Sequence, residues 1–221
     1  MLNFQDYLNE GVNDPSIFKA IFLAGGPGSG KSFVVGKTAL QPLGFKLINS
    51  DPAFEAGLKK VGLTTSPEDI ASAQGQLARL RAKELTNKQM ELALNGRLGL
   101  IIDGTGKDFD KIKSQVDDLR ALGYAVYMIF VNTDLETAME RNAKRSRSLP
   151  DEMINLMWKG VQKNIGKFQN LFRNRFIVVD NSTGSNVERA IMNAYKTVAS
   201  WAKSPPENSI AQRWMKDQNK K

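Results

Sequence analysis

Five short apolar segments alternate along the chain with longer segments in which apolar residues recur every three or four positions. The short segments have the length of buried strands, and the longer ones are typical of helices that cover a sheet. Strands are predicted at residues 18–24, 45–49, 98–103, 124–131 and 175–181. Strands that alternate with helices form a parallel sheet covered on both faces. We therefore predict an α/β fold with about five parallel strands.

The helix boundaries carry signals of their own. Ser66 is placed to cap a helix that has Pro67 at its first position, and the pattern predicts that this helix continues to Asn95, before a glycine. Further helices are predicted after Lys31, from residue 50, and at 107–123, 134–145, 151–172 and 186–202.

The chain divides into three parts. Residues 15–203 contain all the predicted strands and form the expected domain, preceded by an N-terminal segment at 1–14. Residues 204–221 form a basic, polar tail that opens with prolines. We expect this tail to be mobile or loosely docked.

The turn after the first strand is the strongest motif. Residues 25–32 read GGPGSGKS and fit the pattern G-x-x-x-x-G-K-[ST] between a strand and a helix. Glycines let several backbone N–H groups point at one phosphate, and the helix N-terminus adds partial positive charge. An ordinary glycine-rich turn is the less favoured reading, because motif and context agree. The residues predicted to hold the nucleotide are Gly26, Pro27, Gly28, Ser29, Gly30, Lys31, Ser32 and Phe33.

This motif predicts ATP and Mg²⁺ as cofactors. Lys31 is expected to reach the β- and γ-phosphates, and the hydroxyl of Ser32 is expected to bind the metal. The motif by itself does not separate a kinase from an ATPase or a GTPase. The guanine-selecting string N-K-x-D is missing from the sequence, which favours ATP.

Composition removes several kinds of chemistry. The chain has no His and no Cys, which excludes imidazole and thiolate catalysis and leaves carboxylates, hydroxyls, Lys and Arg. No apolar run reaches the length of a membrane span, and the polar N-terminus lacks a signal peptide, so we expect a cytoplasmic protein and no membrane partner. The net charge of +8 favours anionic partners, nucleic acid among them, although it also aids solubility.

Two carboxylates follow predicted strands and should share the sheet edge with the glycine-rich turn. Asp51 comes after the second strand and is a candidate catalytic base and substrate contact; the alternative is a helix cap beside Pro52. Asp103 ends the third strand and is a candidate for the metal shell or for substrate hydroxyls, with Thr105 beside it. Its alternative is a solvated carboxylate at a strand end.

Three arginines lie close together further along the chain. Arg141 and Arg145 are four residues apart on one helix face, and Arg147 follows in a loop. Arginines on a mobile segment can close over a nucleotide and stabilise the charge that develops during phosphoryl transfer. This predicts an Arg-bearing lid, with Arg141 and Arg145 as catalytic candidates beside Lys31; the alternative is a solvated basic face.

Taken together, these residues resemble two related groups of P-loop kinases. One is the polynucleotide 5′-kinases of tailed phages, and the other is the zeta toxins of toxin–antitoxin systems, which phosphorylate nucleotide-activated amino sugars. The similar stretches are GGPGSGKS, FKLINSD, LIIDGT and RNAKRSRSLPDEMINLM. The resemblance implies that Asp51 is the catalytic base, that Arg141 and Arg145 belong to the lid, and that Lys31 and Ser32 contact phosphate and metal.

The sequence departs from the polynucleotide kinases at one position. They carry an arginine three residues after the base, where this chain has Phe54, and the DGT string at 103–105 is more similar to zeta toxins. We therefore expect a kinase acting on a hydroxyl of a small molecule, such as a nucleotide sugar or a nucleoside. A polynucleotide 5′-hydroxyl kinase and a non-catalytic nucleotide-binding virion protein are the alternatives.

The N-terminus carries a second resemblance. Residues 1–10, MLNFQDYLNE, are similar to capsid-targeting propeptides of large tailed phages, which are cut after a Glu in an L-x-E pattern. This resemblance implies a phage-encoded protein, cleaved between Glu10 and Gly11, that is present in the virion or the host cytoplasm. The alternative for residues 1–10 is a helical turn docked on the domain. Whether the protein binds an antitoxin-like partner stays undetermined from the sequence.

Overall fold

The central element is a single parallel sheet. The computed structural model describes residues 12–38, 40–144 and 148–219, and within them five strands pair in the order β2-β3-β1-β4-β5. The strands are β1 (Lys19–Ala24), β2 (Lys46–Ile48), β3 (Leu100–Asp103), β4 (Ala125–Asn132) and β5 (Phe176–Asp180). All five predicted strands and the parallel sheet are confirmed.

Helices connect the strands and cover the sheet. In chain order they are α1 (Lys31–Thr38), α2 (Asp51–Lys60), α3 (Pro67–Ala71), α4 (Ala73–Asn95), α5 (Phe109–Ala121), α6 (Leu135–Ala143), α7 (Asp151–Gln162), α8 (Ile165–Phe172), α9 (Val187–Lys203) and α10 (Ser209–Gln218). Short 3₁₀ turns lie at Gln41–Leu43 and Arg173–Arg175.

The core lies on both faces of the sheet. Every residue of β1 is buried, and its side chains alternate between two clusters: Phe22 packs with Phe168 and Phe172 on one face, whereas Ile21 packs with Val198 on the other. Such continuous burial is what a central parallel strand requires. A third, separate set, which we call the α2–α4 cluster, joins α2, α3 and α4; it consists of Phe54, Leu58, Ile70, Ala78 and Ala82.

Two predicted helices are each interrupted. Ser72 has ψ 157° and caps α4, so the helix predicted to run from Ser66 to Asn95 is two helices, although the Ser66 cap is confirmed by its bond from the Asp69 amide. The helix predicted at 151–172 breaks at Asn164, whose side-chain amide donates to the carbonyl oxygens of residues 106 and 107. Hydrogen bonds to distant backbone atoms cause this second break, so the local sequence does not predict it.

The tail packs against the domain, so of the two expectations, a mobile segment or a loosely docked one, the structure has a docked segment. Residues 209–218 form α10, in which Ala211 is fully buried. The partly buried Trp214 ring meets the Phe18 ring edge-on, with 5.5 Å between centroids. These two contacts tie a helix of mostly polar sequence to the sheet.

Some predictions fall outside the described residues. The segment resembling a propeptide, 1–10, is one, and Arg145 and Arg147 are the others. The cleavage site and the Arg lid stay predictions. Within the described part of the chain, no helix combines the length and the apolar character needed to cross a membrane.

Candidate active site

The glycine-rich turn lies at the carboxyl edge of the sheet, between the end of β1 and the start of α1. Gly28 has φ +75° and Gly30 has φ +80°. A Cβ at Gly28 would overlap the carbonyl oxygen of Ala138, and a Cβ at Gly30 would overlap the side chain of Asn181. Both positions therefore require glycine for conformation and for space.

Two side chains support this loop from outside. Asn181, just after β5, is buried and donates from Nδ2 to the Ser29 carbonyl oxygen at 2.7 Å. Arg141, near the end of α6, donates from Nη1 to the Gly28 carbonyl oxygen at 3.5 Å. The structure thus brings the predicted Arg141 onto the loop. It also adds Asn181, which we did not predict, although polar residues after strands were the signal that identified Asp51.

Lys31 and Asp103 face the same space. Lys31 Nζ donates to the Gly25 carbonyl oxygen at 2.7 Å, and the amide of Gly25 donates to the Thr105 carbonyl oxygen at 3.1 Å. Burial raises the pKa of the Asp103 carboxyl; the positive charge of Lys31 opposes this rise and the negative charge of Asp51 adds to it. The two carboxylates and the lysine are therefore electrostatically coupled.

Asn49 joins the two carboxylate residues. Its Nδ2 donates to Asp103 Oδ2 at 3.1 Å, and its Oδ1 accepts from the Asp51 amide at 2.8 Å. Asp51 is the first residue of α2, and its side chain is exposed. The residue therefore both starts a helix and places a carboxylate at the edge of the sheet. Asn49 was missed, because it lies inside the strand predicted at 45–49.

A cavity of about 380 Å³ opens between the loop, α2, α4 and α5. Of the predicted residues, Lys31, Asp51, Asp103 and Thr105 line it. The other lining residues are Ile48, Asn49, Ser50, Thr86, Asn87, Met90, Ile102, Gly104 and Gln115. No sequence signal identifies the lining residues on α4 and α5, because a polar residue on a half-exposed helix is usually only a solvated one.

Phe33 lies elsewhere. Its side chain is 46% exposed and lines a hollow between α1 and α9, beside Lys37, Ile191 and Met192. The side chain therefore does not face the cavity that contains Asp51. The prediction that Phe33 contacts the nucleotide stays a prediction.

The sequence over residues 21–163 matches a family model described as an AAA domain. The chain belongs to this family. This AAA-domain protein has the P-loop kinase fold expected from its sequence.

Among curated proteins, the AAA-domain chain is similar to adenylate kinase isoenzyme 5 of Bos taurus, with 27% identity over 147 residues. That match covers 66% of this chain but only 25% of the relative, so the chain spans about a quarter of that protein's length.

Among solved structures, the PezAT chromosomal toxin–antitoxin system of Streptococcus pneumoniae is similar, with 16% identity, a TM-score of 0.54, and coverage of 83% of this chain and 86% of that one. The Pnkp1/Rnl/Hen1 RNA repair complex is another, with 19% identity, a TM-score of 0.52, and coverage of 68% and 46%. At these identities the likeness concerns the fold.

The residues at the sheet edge fit ATP and Mg²⁺. Positive φ angles at Gly28 and Gly30 let the loop backbone turn around a phosphate, and Lys31 and Ser32 begin the helix that follows. Asp103 Oδ1 is buried and has no hydrogen-bond partner among the described residues. Such an oxygen suits a metal-bound water or a substrate hydroxyl. The described residues contain no group of three or more acidic side chains that could hold a metal by themselves.

Proposed function

We propose that the protein is an ATP-dependent phosphotransferase that moves the γ-phosphate to a hydroxyl of a small molecule, with a nucleotide sugar or a nucleoside as the acceptor. One observation carries the proposal: Asn49 couples Asp51 to Asp103 in a cavity that is also lined by the phosphate-loop lysine, Lys31. A base, a charge-bearing carboxylate and a phosphate-binding cation around one space are the parts that phosphoryl transfer needs.

The loop side of the site would hold the donor. Backbone N–H groups of the phosphate loop and the N-terminus of α1 stabilise the phosphate charges, and Lys31 adds a full positive charge. Ser32 and Asp103 would hold Mg²⁺, which would neutralise charge on the phosphate oxygens. Arg141, which is bonded to the loop, adds planar positive charge beside it.

The cavity side would hold the acceptor. The Asp51 carboxylate takes the proton of the acceptor hydroxyl as its oxygen forms a bond to the γ-phosphorus. The bond from that phosphorus to the bridging oxygen of ADP breaks in the same displacement, so the products are ADP and a phosphate ester. Asn49 fixes Asp51 for this role, because its bond to the Asp51 amide sets the first turn of α2.

The test is Asp51→Asn, with Glu55→Gln as the matched control. Glu55 is an exposed carboxylate one turn further along α2, and its substitution removes the same charge outside the cavity. We expect transfer of label from γ-labelled ATP to fall by about 10²–10⁴-fold in Asp51→Asn, with nucleotide binding retained and Glu55→Gln close to wild type. Equal activity of the two variants would contradict the proposed role of Asp51.

A 5′-hydroxyl polynucleotide is the second candidate acceptor. It is favoured by the net charge of +8 and by the fold shared with the RNA repair complex. Against it, Phe54 is buried and covered by the guanidinium of Arg79, 4.7 Å from the ring centroid, so no arginine lies at this position on α2. A 5′-hydroxyl oligonucleotide is therefore included as an acceptor, and label on neither acceptor class with ATP bound would favour a non-catalytic nucleotide-binding protein.

A further inference from the structure

The described lining of the cavity carries more negative than positive charge. Its lining residues include two carboxylates, Asp51 and Asp103, and one cation, Lys31. No arginine belongs to the described lining. Since Lys31 is bonded to the phosphate loop and would serve the donor, an acceptor meets net negative charge.

The polar part of the wall is otherwise uncharged. Thr86 and Asn87 come from α4, and Gln115 comes from α5. The side-chain amides of Asn87 and Gln115 have no hydrogen-bond partner in the part of the chain that the structure describes, whereas Thr86 already donates to the Ala82 carbonyl oxygen at 2.8 Å. Two free amides, each both donor and acceptor, suit ligand hydroxyl and amide groups.

Part of the cavity lining is apolar. Ile48, Ile102 and Met90 line the cavity together with the carboxylates and the amides. A mixture of apolar and polar lining residues suits a sugar or nucleoside ring, which carries C–H groups on its faces and hydroxyls at its edge. The volume of about 380 Å³ is of the size that a small-molecule site requires.

Two arginines among the described residues contact other parts of the molecule and do not line the cavity. Arg79 lies against the Phe54 ring within the α2–α4 cluster, and Arg141 donates to the phosphate loop. With the described residues alone, an acceptor phosphate or carboxylate inside the cavity would lose its water without gaining the bidentate partner that offsets such a loss.

We propose that the acceptor is uncharged in the part that enters the cavity: a nucleoside or a sugar that presents hydroxyls to Asn87 and Gln115, and not its phosphorylated or carboxylated counterpart. This inference rests on the proposed phosphotransferase function and narrows its substrate class.

The experiment compares matched pairs of acceptors. Uridine is compared with uridine 3′-monophosphate, and N-acetylglucosamine with its 1-phosphate, so the members of each pair differ only by a phosphate on one hydroxyl. Two readouts are taken on the wild type: label transfer from γ-labelled ATP, and binding detected by ligand-observed NMR with a non-hydrolysable ATP analogue present. We expect the uncharged member of at least one pair to be preferred by 10-fold or more in both.

A charge variant makes the test sharper. Gln115→Arg places a cation on the wall and should raise binding of the phosphorylated member by 10-fold or more, while Gln169→Arg, at an exposed position of α8, should leave both members unchanged. Thermal unfolding of both variants checks that they fold.

The outcomes separate this inference from the proposed function. Equal or better binding of the phosphorylated members, or no binding of any uncharged member, overturns the inference. Binding of uncharged members without transfer of label to them supports the inference and counts against the phosphotransferase. Transfer to phosphorylated members alone supports the phosphotransferase and overturns the inference.

Discussion

The side-chain amide of Asn181 donates a hydrogen bond of 2.7 Å to the Ser29 carbonyl oxygen, which ties the end of β5 to the middle of the phosphate loop. The bond is buried, so its loss leaves the Ser29 carbonyl oxygen without this partner. A buried polar atom left unpaired costs about 1–3 kcal/mol. The loop therefore depends on a residue 152 positions away in sequence.

Asn181→Ala should lower the free energy of unfolding by about 1–3 kcal/mol and weaken ATP binding at least 10-fold, because the loop loses its outer support. Urea unfolding and titration with a fluorescent ATP analogue measure the two effects. Asn193→Ala, at an exposed position of α9, is the matched control and should change neither. ATP affinity equal to wild type in Asn181→Ala would contradict the role of this bond.

Gly28→Ala should lower ATP affinity by 10-fold or more. The added methyl group would overlap the Ala138 carbonyl oxygen at a backbone angle of +75°, so the loop must distort. Gly36→Ala is the control: Gly36 lies in α1 with nothing within 4 Å of an added Cβ, and this change should raise stability by about 0.5–1 kcal/mol. A similar ATP affinity in both variants would show that the space around Gly28 does not matter.

Asp103→Asn should abolish most transfer yet leave the protein as stable as wild type, or about 1 kcal/mol more stable. Burial raises the pKa of this carboxyl, so the folded state disfavours its charged form and removing the charge relieves that penalty. We expect transfer to fall about 100-fold at pH 7. Asp110→Asn, in the exposed first turn of α5, controls for charge, and a marked loss of stability in Asp103→Asn would show that the carboxylate is structural.

Stability should rise with pH in a window set by Lys19. Burial lowers the pKa of Lys19 to about 8 from 10.5, with the charge of Glu207 opposing and that of Arg175 assisting. Between these values the unfolded chain still holds the proton that the folded protein has released, so the free energy of unfolding increases with pH there. Well below pH 8, Lys19 is protonated in both the folded and the unfolded state, so it does not make the free energy of unfolding depend on pH.

The measurement is urea unfolding at pH 7 and pH 10 for wild type, Lys19→Met and the exposed control Lys196→Met. The increase from pH 7 to pH 10 should be about 2 kcal/mol larger in wild type and the control than in Lys19→Met. The same pH response in all three proteins would show that Lys19 titrates at its ordinary pKa when folded.

Trp214→Ala should lower the free energy of unfolding by about 2 kcal/mol, because Trp214 packs against the fully buried Phe18 ring. Arg213→Ala, the exposed neighbour in α10, should change it by less than about 0.5 kcal/mol. Chemical denaturation compares them, and equal stability of the two variants would mean that the tail helix adds nothing to the domain.

The sequence was sufficient for features that are local. Each strand is a continuous apolar run, the phosphate loop is one contiguous motif, and Asp51 and Asp103 follow from the rule that parallel strands end at one edge. The rest depends on contacts between distant segments. The break at Asn164 comes from bonds to residues 106 and 107, the loop support comes from Asn181, and docking of α10 comes from Phe18.

The cavity wall illustrates the same limit. Asn87 and Gln115 read as ordinary polar positions on helices, and only the packing of α4 and α5 around the sheet edge brings them opposite Asp51. Asn49 and Asn181 could have been predicted in the same way as the two carboxylates. Both lie at the carboxyl ends of parallel strands, where the ends meet at one edge of the sheet.

The α2–α4 cluster has a consequence for how the protein changes over evolutionary time. Its five members pack among themselves, apart from the two clusters on the faces of the sheet. Substitutions among these five residues are therefore expected to alter α2, α3 and the first half of α4 while the sheet keeps its packing. The two parts of the chain can thus accumulate changes independently of each other.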